Sequence, residues 1–88
     1  MTNKRPSVVV TGANRGIGLE LVSQYLADDW QVCGCCRRPE LATQLAGLVS
    51  NSALSIHQLD VSNPDSVKQL ALALSEQSID LLINNAGI

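Results

Sequence analysis

The apolar pattern begins with an unbroken run, "SVVVT" at Ser7 to Thr11, which predicts a short strand buried on both faces of a parallel sheet. From Gly16 the period changes. Ile17, Leu19, Leu21, Val22, Tyr25 and Leu26 recur at helical spacing until "ADDW" stops them, and "WQVCGCC" then predicts a second strand. Pro39 in a first turn, followed by Leu41, Leu45, Leu48 and Val49, predicts a second, weaker helix that "NS" ends. "ALSIHQLD" alternates Leu54, Ile56 and Gln58 against Ser55, His57 and Leu59, the two-residue period of a third strand. Ser62 is read as the N-cap of a third helix, with Pro64 in its first turn and Asp65 as the acidic half of a capping box. Val67, Leu70, Ala71 and Leu74 lie on one face of that helix, and "IDLLINNAGI" supplies a fourth strand running into a glycine turn.

Strands and helices alternating at this rhythm imply right-handed crossovers, hence an α/β fold: a doubly wound, Rossmann-type parallel sheet, β-α-β-α-β-α-β, with strand order 3-2-1-4. In that order the first and fourth strands are neighbours, and their carboxyl ends flank the crevice where open α/β sheets bind ligands. Both ends carry glycines, in "TGANRGIG" and "NNAG". Gly12 suits the tight turn out of the strand, Gly16 a close approach of backbone to a pyrophosphate, and Gly18 close packing of helix on sheet. The helix start adds free N–H groups and partial positive charge. The spacing is G-x-x-x-G-x-G rather than G-x-G-x-x-G, and glycine turns also join strands to helices where no ligand binds. Both readings stay open on this segment alone.

Composition narrows the classes. Eighty-eight residues allow one domain, and 45% apolar with 16% charged residues suits a packed core. The net charge of −2 comes without a basic cluster, which argues against nucleic acid as a partner. No apolar run is long enough for a signal peptide or a membrane span, so a cytoplasmic location is expected. Cys33, Cys35 and Cys36 with His57 offer four candidate zinc ligands, three thiols and one imidazole, but "VCGCC" lacks the two-residue spacer and a second ligand pair. Small buried thiols in a central strand are the expectation.

Taken in order and separation, "TGANRGIG", "LDVS" after the third strand and "NNAG" after the fourth resemble the short-chain dehydrogenase/reductase family, and most closely its carbonyl-reductase-like branch with the C-factor proteins. The resemblance covers nearly the whole chain. It implies that Gly12, Asn14, Arg15, Gly16, Ile17 and Gly18 wrap the phosphates of a dinucleotide. Asp60 matches the acidic residue that hydrogen-bonds the adenine amino group, and Val61 follows with a backbone contact to the ring. Asn85, Ala86 and Gly87 match the turn beside the adenine ribose, while Asn84 ties strands together. The plainer alternatives are a strand-end turn for Asp60 and loop capping for the asparagines.

The second strand ends in "CCRRP", with no carboxylate before Glu40, where a site preferring NAD would hold the ribose 2′-OH with an acid. An arginine there meets a 2′-phosphate with a charge-assisted contact, and Arg15 approaches from the loop. The expectation is NADP(H), with Arg37 foremost and Arg38 beside it; solvated surface charge is the alternative.

In the resembled family, hydride transfer uses a serine, a tyrosine and a lysine beyond the fourth strand, and no residue here matches them. Tyr25 lies on the apolar face of the first helix and is followed four positions on by Asp29. Residues 1–88 are therefore expected to be a partial dinucleotide-binding domain, ending after the fourth strand. Its parent would be an NADP-dependent oxidoreductase acting on a carbonyl or alcohol substrate. The rival functions are a non-catalytic NADP(H)-binding regulatory protein of the same fold and an α/β module without ligand. Substrate identity is not encoded in this stretch, and a homo-oligomeric parent is allowed.

Overall fold

The structure, a computed structural model, describes residues 5–48, 53–75 and 77–85. Its elements are β1 (Ser7–Thr11), α1 (Gly16–Ala27), β2 (Gln31–Cys36), a 3-10 turn (Pro39–Leu41), α2 (Thr43–Ala46), β3 (Leu54–Gln58), α3 (Pro64–Ala73) and β4 (Leu81–Ile83). The four strands form one parallel sheet in the order β3-β2-β1-β4, as the alternation of elements predicts.

Strand pleating sends alternate residues to opposite faces and so makes two cores. Val8 and Val10 of β1, Val32 and Cys36 of β2 and Leu54 of β3 join Val22 of α1 and Leu45 of α2 on one face. Val9, Cys33, Cys35 and Leu59 lie on the other, packed by Leu70 and Leu74 of α3. Val8, Val10, Val22 and Leu45 are fully buried, each contributing about 1.5–3 kcal/mol of apolar burial. The three cysteines are free and buried, and among the described residues no group of His, Cys, Asp and Glu is placed to hold a metal.

α1 ends as "ADDW" suggests, and the geometry shows how. Asp29 sits in the left-handed region at φ 70°, while Trp30 N–H bonds Tyr25 C=O at 3.0 Å and Asp29 N–H bonds Leu26 C=O at 3.2 Å. This is a Schellman closure with its apolar contact in place: the Tyr25 and Trp30 rings meet edge to face at 4.9 Å. Tyr25 is core, as its place on the apolar face predicts.

Two expectations fail locally. The continuous helix from Pro39 is a 3-10 turn and a single α-turn, because Ala42, at φ −88° and ψ 66°, leaves the helical region between them. That break turns Ala42 and Leu45 onto the sheet and leaves Leu41 outside at 64% exposure; Val49 lies outside the described residues. Leu45 comes to rest over Gly34, where any Cβ would stand 3.4 Å from its methyl.

The N-cap of α3 is Asn63, not Ser62, since the Asn63 side-chain oxygen accepts from Asp65 N–H at 2.9 Å. The capping box is absent as well. Ser62 N–H donates to Asp60 instead, at 3.0 Å. On α3 itself Leu70 and Leu74 pack inward, whereas Val67 and Ala71 are exposed.

Candidate functional site

β1 delivers the chain into "TGANRGIG" at its carboxyl end, and the glycines there do three different things. Gly12 and Gly16 hold φ of 62° and 58°, a region costly for residues with a Cβ. Around Gly16 the space a Cβ would take is open, with no atom within 4 Å. Gly18 is the opposite case: buried, with its would-be Cβ falling on the Gly12 carbonyl and 2.8 Å from the Asn85 amide nitrogen. α1 is thereby drawn close against the end of the sheet.

The start of α1 is bare. Its N-cap, Arg15, is extended and makes no side-chain cap, and no acidic residue stands in the first turn. The first intrahelical bond runs from Leu19 N–H to Arg15 C=O, so the amides of Gly16, Ile17 and Gly18 precede the ladder. Ile17 is 72% exposed beside them and Arg15 is exposed. Ala13, fully buried, anchors the loop to β2 by donating to Cys35 C=O at 3.0 Å. Asn14, next along, is half-buried.

From the other side, β4 reaches the loop through Thr11. Its hydroxyl accepts from Asn85 N–H at 2.8 Å and lies 3.1 Å from the Asn84 side-chain oxygen. The Asn85 side chain donates to Gly12 C=O at 3.3 Å. Asn84 thus ties strands, as expected, and Asn85 braces the glycine loop in addition to standing at the turn. Ala86 and Gly87 lie outside the described residues. Sequence reading missed Thr11, although a polar residue closing a fully apolar strand is the signal for it.

The third wall comes from the ends of β2 and β3. Arg37 and Arg38 are exposed, and among the described residues neither they nor Arg15 makes an ion pair. Arg37 is held by its backbone, whose carbonyl accepts from the Gln58 side chain at 3.4 Å. Asp60 follows β3 in a turn closed by Asn63 N–H on Asp60 C=O at 3.0 Å. Its N–H donates to Ser66 Oγ at 2.8 Å, and its Oδ1 accepts from Ser62 Oγ at 2.6 Å and Ser62 N–H at 3.0 Å. The Ser62 hydroxyl and amide hold the Asp60 carboxyl below its ordinary value, and the Arg37 charge adds to them. Val61, next along, is 48% exposed.

The arrangement brings together a bare helix start, open backbone at Gly16, guanidinium groups without an ion pair among the described residues, and one ionised acceptor, all at the carboxyl edge of the sheet. It suits a ligand with phosphates at one end and a hydrogen-bond donor at the other.

Comparison with known proteins shows which family the chain resembles. The family model described as short chain dehydrogenase matches residues 6–88. NADPH-dependent 1-acyldihydroxyacetone phosphate reductase of Saccharomyces cerevisiae is 37% identical over 83 residues, covering 90% of this chain and 28% of that protein. Carbonyl reductase (NADPH) 1 of Mus musculus is 35% identical over 96 residues, covering all of this chain and 34% of its own length. Among solved structures, a carbonyl reductase of Pseudomonas aeruginosa PAO1 in complex with NADP superimposes with a TM-score of 0.90 at 34% identity, covering 97% of this chain and 38% of that one. The chain thus spans about a third of the length of these relatives.

Proposed function

Because the chain belongs to the short-chain dehydrogenase family, we propose that it is a dinucleotide-binding portion of an NADP(H)-dependent oxidoreductase whose substrate is a carbonyl or alcohol. The observation that carries this reading is the placement of the bare α1 start and of Arg37 at the carboxyl ends of the paired strands β1 and β2. The amides of Gly16, Ile17 and Gly18 hold the diphosphate, and Gly12 and Asn14 shape the loop that presents them. Arg37, with Arg15 and Arg38 nearby, takes the 2′-phosphate. Asp60 accepts from the adenine amino group, Val61 lines the ring, and Asn85, Ala86 and Gly87 border the adjoining ribose.

Support comes from the residues themselves. A carboxylate in the first turn of α1 or at the end of β2 would repel phosphate, and neither place has one. Positive backbone angles at Gly12 and Gly16 keep the loop free of the side chains that would fill it. When bound, the reduced nicotinamide supplies a hydride; the residues of this chain bind and orient the rest of the molecule. Relatives whose names include NADPH, and a neighbouring structure solved with NADP, support the choice of cofactor.

The test is a titration of the intact polypeptide with NADPH and NADH, before and after Arg37→Asp. One or two charge-assisted contacts favour NADPH by about ten- to several-hundred-fold, and the substitution is expected to reverse the order. Equal affinities for the two nucleotides in both proteins would overturn the proposal.

A further inference from the structure

Ser62 has no part in capping α3, because Asn63 performs that role, and both of its polar groups turn back to one atom, Asp60 Oδ1. Ser66 takes the Asp60 N–H and Asn63 N–H takes the Asp60 carbonyl. Oδ2 is the one Asp60 polar atom left without a partner among the described residues. We propose that Ser62 is a positioning residue that sets the base specificity of the nucleotide site: by pinning Oδ1 it leaves Oδ2 as a fixed, acceptor-only contact, and the site takes adenine and refuses a 6-oxo purine. This rests on the nucleotide-binding reading above.

The chemistry follows from the donor inventory. An ionised carboxylate accepts and cannot donate, so a 6-amino group satisfies Oδ2 while a 6-oxo group sets two acceptors against each other. A carboxylate free to rotate, or to take up a proton, could relieve that clash. Two hydrogen bonds from one neighbouring residue remove the rotation, and they favour the ionised form over the protonated one.

Binding is measured for the intact polypeptide with NADPH and with its deaminated counterpart, reduced nicotinamide hypoxanthine dinucleotide phosphate. The unmodified protein is expected to favour NADPH by about tenfold or more, the worth of one hydrogen bond to a charged group. Ser62→Ala should keep its helix content by far-ultraviolet circular dichroism and lose at least about two-thirds of that discrimination, and Ser62→Thr, which keeps the hydroxyl, should restore it. A role confined to packing would weaken both nucleotides alike and leave the ratio unmoved. An unchanged ratio in Ser62→Ala overturns the inference, as does an unmodified protein that binds both nucleotides equally well, which needs no variant to fold. Absence of any NADPH binding removes the reading beneath it instead.

Discussion

At Gly18 a single methyl group decides whether the loop closes. Its Cβ would fall on the Gly12 carbonyl, which is backbone and cannot swing aside. Gly18→Ala is therefore expected to destabilise the fold by about 1–3 kcal/mol, the usual cost of overpacking, and to open the loop. Urea midpoints at constant slope check the first effect and NADPH titration the second. Gly12, Gly16 and Gly18 were legible in the sequence because glycine spacing encodes backbone demands directly. Thr11 and Ser62 were not, because a hydroxyl's partner is chosen by tertiary placement: Thr11 meets Asn85 across 74 positions, and Ser62 turns to Asp60 rather than to the helix ahead of it.

Among the elements, α1 followed its pattern, α3 followed its own only at Leu70 and Leu74, and the Pro39 segment did not. α1 carries a glycine-led start and a left-handed Asp29 stop, both local signals, so its bounds could be read. The leucines after Pro39 promised one helix, but packing Leu45 over Gly34 required the chain to break at Ala42, and nothing local announces that. At α3 two adjacent residues both suit an N-cap, and only geometry separates them. Asn63→Ala should cost about 0.5–2 kcal/mol of stability, while Ser62→Ala should cost the helix little. Thermal melts of the two variants compare them directly; a larger loss for Ser62→Ala would reverse the assignment.

Over the whole molecule, the three thiols report on integrity. Cys33, Cys35 and Cys36 are 3%, 0% and 4% exposed, and burial pushes the Cys35 thiol from 9.0 up to about 12, with Cys33 and Cys36 adding to it. Alkylation by a maleimide should be slow in the native protein and fast for all three once urea unfolds it. The sign in alkali follows from the raised value: the neutral thiol is favoured by folding, so stability is full below about pH 9 and falls between 9 and about 12. Urea titrations across that range check the fall. Leu82 at 63% and Leu72 at 69% exposure leave apolar surface around β4 and α3, whereas the β1–β2 centre is closed. Among the described residues no helix is long and apolar enough to cross a membrane.

The bond between Ser7 N–H and the Asp80 carboxylate, with Asp80 N–H returned to Ser7 C=O, joins positions 73 apart, and Asn85 repeats the join at the other end of β1. A ribosome releasing this polypeptide therefore exposes the glycine loop long before the strand that braces it. Until Asn85 emerges from the exit tunnel, the nascent glycine loop lacks its brace, and β1 must wait for its last neighbour.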